Sequence, residues 1–134
     1  MIRRLILSSK HIDELKRFTI DSLPQESCAL LLGDINGDDI VVSRIISTKN
    51  ADKSKTTFSI EPNELFEVYK DAENSGLDIV GIFHSHPAPA KPSTIDIKYM
   101  KINPIPWLIL STTNNELIVF LYDNIIRQLE LVIN

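Results

Sequence analysis

Two of the chain's three histidines stand two residues apart, in His84-Ser85-His86. The run before them, Leu77 to Phe83, is rich in β-branched residues and reads as a strand. Side chains two apart on a strand point to one face, so both imidazoles can converge on one ion. Ten residues beyond His86, Asp96 offers a carboxylate near the start of a predicted short helix, Thr94 to about Lys101. Two histidines and one carboxylate make a zinc set of the catalytic type, with three protein ligands and one position left open for water. The intervening Pro87-Ala88-Pro89-Ala90-Lys91-Pro92 is stiff and carries no competing ligand. It can fold the chain back so that Ser93 and Asp96 face the histidines.

Ser93-Thr94-Ile95-Asp96 has a second reading, as a capping motif with Ser93 as the helix N-cap. Metal-assisted hydrolysis further needs a group that accepts a proton from water and returns it to the leaving group. Glu26, at the entrance to an apolar strand, is the candidate. A solvated strand-end carboxylate fits the same spacing, and composition does not choose between the two. His11, alone on a predicted helix, reads as structural.

The elements that must position these residues follow from periodicity and turn chemistry. Ile2 to Ser8 reads as a short strand. Lys10 to about Ser22 carries Ile12, Leu15 and Phe18 at helical spacing, with Ser9 as N-cap and Leu23-Pro24 as its end. Ser27 to Gly33 and Ile40 to Ser47 are apolar strands, joined through Asn36-Gly37, the pair suited to a type I′ turn. Thr48 to Thr57 reads as a polar loop and Phe58-Ser59-Ile60 as a brief extended segment. Glu61-Pro62 opens a helix that is expected to bury Leu65, Phe66 and Tyr69 and to stop at Gly76. Trp107 to Ser111, Leu117 to Tyr122 and Ile125 to Ile133 read as closing strands, with turns at Asn114-Asn115 and Asp123-Asn124. Hairpins mixed with helical crossovers predict an α+β domain: a curved mixed sheet flanked by helices.

Composition sets the outer limits. A chain of 134 residues is one domain's length. Its formal charge of −4 lacks the basic field of a nucleic-acid binder. Mean hydropathy near zero, with no long apolar run, argues against a membrane span. After Arg3-Arg4 only three apolar residues follow, too few for an export signal, so a cytoplasmic chain is expected. A single cysteine, Cys28, excludes an intramolecular disulfide and a Cys-rich zinc knuckle.

Taken together, these residues resemble the JAMM metallopeptidases, also called the MPN-plus family. Pro24-Gln25-Glu26-Ser27-Cys28-Ala29-Leu30-Leu31-Leu32-Gly33 is similar to the family's glutamate strand. Gly81-Ile82-Phe83-His84-Ser85-His86-Pro87 and Pro92-Ser93-Thr94-Ile95-Asp96 are similar to its His-x-His-Pro and Ser-x-x-Asp motifs. The resemblance covers essentially the whole chain as a single domain, residues 1–134, and implies the cytidine-deaminase-like α+β fold. It implies that His84, His86 and Asp96 bind one zinc ion per chain. Glu26 would be the general acid/base, and Ser93 the hydrogen-bond donor to the tetrahedral oxyanion. Six residues separate His86 from Ser93 where the family usually has seven, and Ala29 stands where many relatives have glycine. Only Ile97 to Pro106 follow Asp96 before the next strand, so the insertion with which larger members grip ubiquitin chains is absent. The type is therefore a minimal archaeal or bacterial one. It implies an isopeptidase or peptidase acting after the Gly-Gly tail of a small ubiquitin-like modifier or sulfur carrier, and possible homodimers.

Other residues have blander readings. Cys28 is a further contact to the metal, a redox brake on the site, or a small buried hydrophobe, and burial is the expectation. Trp107 reads as core and Lys91 as a solvated loop lysine. Asp34, Asp38 and Asp39 read as a solvated hairpin tip, since the spacing of a calcium loop is missing. The rival to the enzyme is a non-catalytic scaffold of the same fold that binds a partner without cleaving it. Amidohydrolase barrels need far more chain, and zinc deaminases need a Pro-Cys-x-x-Cys that is not here.

Overall fold

The computed structural model describes residues 1–49 and 60–134. Most of the polar loop expected after Thr48, and Phe58-Ser59 beyond it, lie outside the described residues. The elements are β1 (Arg4–Leu7), α1 (Ser9–Ser22), β2 (Cys28–Asn36), β3 (Asp39–Thr48), α2 (Pro62–Ser75), β4 (Asp78–His86), α3 (Thr94–Ile102), β5 (Trp107–Ser111), β6 (Leu117–Asp123) and β7 (Ile125–Ile133).

The sheet is mixed, as expected, but it is not merely curved. It closes as a seven-stranded barrel in the order β1-β3-β2-β4-β5-β6-β7. Closure comes from β1, which pairs in parallel with β3 on one side and with β7 on the other. Pairing Leu5 with both Ile40 and Leu131 joins the two ends of the chain, and no local pattern encodes that contact.

Two apolar clusters lie on opposite faces of the strands. One gathers Leu5, Leu7, Ala29, Leu31, Phe83, Leu108 and Val119, against which α1 lays Ile12 and Leu15. The other gathers Leu30, Leu32, Ile82 and Trp107 under Val68 and Ala72 of α2 and Met100 of α3. Strand alternation therefore assigns Ile82, His84 and His86 to the face carrying α2 and α3, and Phe83 and Ser85 to the face carrying α1.

Three expectations change in detail. On α2 the buried residues are Val68 and Ala72, while Phe66 and Tyr69 are 64% and 58% exposed. Helical spacing finds the stripe, but the smaller side chains are the ones that fit against β4. The β2–β3 turn has Gly37-Asp38 at its centre, since Asn36 pairs with Asp39 and only Gly37 has a positive φ (65°), so the type I′ turn does not form. The N-cap of α1 is Ser8, and His11 completes it: the His11 amide donates to Ser8 Oγ and the Ser8 amide to His11 Nδ1. The β2–β3 register slips at Leu32/Gly33, where a Cβ on Gly33 would stand 1.9 Å from the Val41 carbonyl oxygen. The residue must be glycine because another backbone passes there.

Candidate metal centre

β4 carries both histidines at its carboxyl end. α3 is then set across them by its own start signal. Ser93 is the N-cap: its Oγ accepts the Asp96 amide at 3.0 Å, while Asp96 Oδ2 accepts the Ser93 amide at 2.9 Å. This reciprocal cap fixes the Asp96 carboxylate in the first turn, where the helix dipole also favours a negative charge. The six-residue proline loop is long enough, because Asp96 Oδ2 comes to 3.2 Å from His84 Nε2. The same Ser-x-x-Asp motif thus caps α3 and brings Asp96 to His84.

One ligand atom each from His84, His86 and Asp96 lies within 4.8 Å of the others, and all three residues are buried. Glu26, also buried, closes the other side of His84 with Oε1 3.3 Å from Nδ1. Burial alone would push the His84 imidazolium to lower pKa, but Asp96 and Glu26 outweigh it and hold the value up at about 9. Burial likewise pushes Asp96 up, and His84 together with the Ser93 amide and hydroxyl brings its carboxyl below the usual range.

The fit to a cation can be tested on His86. Its Nε2 lies 3.0 Å from the Lys91 carbonyl oxygen, which can only accept, so Nε2 carries the proton in the neutral ring. The lone pair is then on Nδ1, a buried atom with no hydrogen-bond partner. A buried acceptor without a donor is costly, and a metal ion satisfies it. The donor set is two imidazoles and a carboxylate, which suits zinc among other divalent ions. Lys91 thus contributes its backbone, while its side chain is exposed.

A cleft of about 300 Å³ opens on this group, lined by Glu26, His86, Ser93, Asp96 and the prolines of the loop. A second, of about 210 Å³, shares Glu26, His86 and Pro87 with it and is lined further by Pro24 and Thr112. Every site residue read from the sequence therefore borders one place: His84, His86 and Asp96 as the ligand cluster, Glu26 beside His84, and Ser93 at the cleft. Trp107 stands edge-on to His84, with ring centroids 5.9 Å apart.

Cys28 is paired with His84 across the β2–β4 ladder and so shares its face. Its Sγ, however, lies 3.0 Å from Thr48 Oγ1 and is not among the clustered ligand atoms. Burial pushes the thiol up to about 11, so it behaves as the small buried hydrophobe expected of it.

Residues 8–122 match the family described as prokaryotic homologs of the JAB domain. The chain belongs to that family. This JAB-domain chain is 36% identical over 93 residues, 69% of its length, to a desampylase of Pyrococcus furiosus. It is 31% identical over 103 residues, 75% of its length, to a probable TtuB-protein conjugate cleaving protease of Thermus thermophilus. The matches span 64% and 66% of the length of those two relatives. A solution structure of a Desulfitobacterium hafniense protein superposes with a TM-score of 0.87 at 32% identity, over 97% of this chain and 92% of that one. The JAMM/MPN resemblance of the motifs and the whole-domain match agree on a minimal prokaryotic member.

Some of what shapes the site was not read from the sequence. The Lys91 carbonyl is backbone, so residue type says nothing of it. The hydroxyls of Thr19, Ser27 and Ser85, which meet behind the histidines, come from α1, the residue before β2, and β4. The only signal was a serine between the two histidines.

Proposed function

We propose that this chain, residues 1–134 acting as one domain, is a cytoplasmic zinc-dependent peptidase. It cleaves after the C-terminal Gly-Gly of a small ubiquitin-like modifier or sulfur-carrier protein, releasing a lysine conjugate or a linear extension. The observation that carries this reading is the clustering of His84, His86 and Asp96 beside a buried glutamate, at a cleft that His86, Asp96 and Glu26 line. The name of the Thermus relative, a protease that cleaves protein conjugates, supports the substrate class.

His84, His86 and Asp96 would hold one zinc ion. When bound, it supplies positive charge that acidifies a water and polarises the scissile carbonyl. Glu26 takes the proton of the attacking water on its carboxylate and passes it to the departing amine. Its buried position keeps bulk water from competing for that proton. Ser93 uses an Oγ lone pair to cap α3, which leaves its O–H to donate to the oxyanion. Pro87, Pro89 and Pro92 wall the cleft stiffly. A tail without side chains suits such a slot, and bulkier residues would meet ring atoms.

The test is release of a ubiquitin-fold modifier from a Gly-Gly-lysine isopeptide and from a linear extension, by zinc-loaded protein. Cleavage that is lost in Glu26→Ala and on chelation is expected. Binding without cleavage by zinc-loaded protein would replace the enzyme by a scaffold.

A further inference from the structure

Behind the histidines, on the face turned to α1, three buried hydroxyls form an unbroken chain. Thr19 Oγ1 is 2.9 Å from the Leu15 carbonyl, 3.0 Å separates Thr19 Oγ1 from Ser27 Oγ, and 2.9 Å separates Ser27 Oγ from Ser85 Oγ. All three side chains are at most 4% exposed, so their bonding is chiefly to one another and to the backbone. A hydroxyl has one proton, and the Leu15 carbonyl can only accept. Thr19 must therefore donate to Leu15, Ser27 to Thr19, and Ser85 to Ser27. This proton order is the one arrangement that satisfies every contact.

The far end of the chain does structural work at the site. The last Cα pair of the β2–β4 ladder is Cys28 with His84. Beyond it the Ser85 amide still reaches the Ser27 carbonyl at 3.1 Å, and the Ser27 amide turns to Ser85 Oγ at 3.0 Å. The Ser85 side chain thus carries the pairing one residue past the ladder. Ser27 is the neighbour of Glu26, just before β2, and Ser85 lies between His84 and His86 on β4. α1 anchors the arrangement through Thr19.

We propose that Thr19, Ser27 and Ser85 are positioning residues, a one-way hydroxyl chain that sets Glu26 against His84 and His86. None of the three touches the reacting atoms. Their effect runs through the backbone of the segments that carry the site. The consequence for catalysis rests on the peptidase reading above, but the consequence for geometry does not.

The experiment compares the full-length protein with Thr19→Val, Thr19→Ser and Ser85→Ala. Thr19→Val keeps the volume and removes the acceptor of the Ser27 hydroxyl, far from the cleft. In metal-free protein, nitrogen-15 NMR of the histidine rings and of the Glu26 amide reads the geometry directly. We expect those signals to shift in Thr19→Val and Ser85→Ala and to return in Thr19→Ser. In zinc-loaded protein kcat should fall about tenfold in the first two with KM unchanged, the size usual for groups that orient metal ligands. Lowered melting temperatures with unmoved ring and Glu26 signals would overturn the inference and leave the hydroxyls as core packing alone. If the signals move but wild type cleaves nothing, the positioning stands and the peptidase reading falls.

Discussion

Asp96 reaches His84 across the proline loop, Oδ2 to Nε2, at 3.2 Å, while Glu26 Oε1 stands 3.3 Å from Nδ1 of the same ring. One buried imidazole is thus held between two carboxylates. That arrangement favours a cation at this place, whether the cation is a proton on the ring or a metal ion beside it.

Metal uptake should therefore release a proton. His84 keeps its proton up to about pH 9, and a ligating imidazole must be neutral. At pH 7 zinc displaces that proton, so the apparent affinity should tighten by about tenfold per pH unit between 7 and 9. Calorimetry in two buffers of different ionisation heat measures the release. A proton count near zero at pH 7 would show that His84 is already neutral. His86→Ala and Asp96→Ala should each remove stoichiometric uptake.

In metal-free protein the same group links stability to pH. The native pKa of His84 is raised above the ordinary 6.5, so its stabilisation is fully present below 6.5 and fades as pH rises through about 9. Within that window the loss approaches about 1.4 kcal/mol per pH unit. The lowered Asp96 works on the acid side: its contribution holds above the ordinary carboxyl value of 3.8 and is lost as pH falls through the native one. Urea midpoints with chelator present should drop from pH 6.5 to pH 9. His84→Asn should flatten that slope, and a midpoint that rises over the same range would contradict the charged ring.

How much of this was legible beforehand depends on how local the signal is. The strand that delivers His84 and His86 is announced by its own β-branched residues, and the helix that delivers Asp96 by its own Ser-x-x-Asp cap. Asn115 and Asn124, both at positive φ, mark the turns that their residue types predict. Barrel closure is different, since it depends on β1 meeting β7 and each strand alone reads the same in an open sheet. Glu26 stayed open between base and solvated strand end for a related reason. Its burial is set by β4, which comes fifty-odd residues later in the chain. Phe66 and Tyr69 are expected inside, but the space beneath α2 is filled by Val68 and Ala72.

Gly33→Ala tests the close passage of β2 and β3. A methyl 1.9 Å from the Val41 carbonyl oxygen cannot be relieved by rotating a side chain. The backbone must shift, at about 1–3 kcal/mol by analogy with other overpacked sites. Gly37→Ala, with open space around its Cβ but a φ of +65°, should cost about 1–2 kcal/mol through the left-handed backbone alone. Chemical denaturation ranks the two. A Gly33→Ala midpoint equal to wild type would mean that the bulge relaxes freely.

Cys28 should be inert in the native protein. Its thiol is buried, pushed up to about 11, and bonded to Thr48. At pH 8 very little of it is thiolate, and alkylation needs both thiolate and access. Iodoacetamide should label it slowly in folded protein and promptly in urea, with mass spectrometry as the readout. Native labelling at the unfolded rate would show a site more open than this one.

Ser93 separates its two tasks by substitution. Ser93→Ala removes the lone pair that caps α3 and, at a residue that lines the cleft, the O–H proposed as oxyanion donor. The cap is worth about 1 kcal/mol, and an oxyanion donor about 10²–10³ in kcat. Ser93→Thr retains both groups and should keep stability within a few tenths of a kcal/mol and most of the activity. Ser93→Asp keeps a capping oxygen without a hydroxyl donor, so it should fold like wild type and yet cleave as poorly as Ser93→Ala. Melting temperature and kcat, measured on all three, then move independently. If activity follows melting temperature across the series, Ser93 acts only through the position it gives to Asp96.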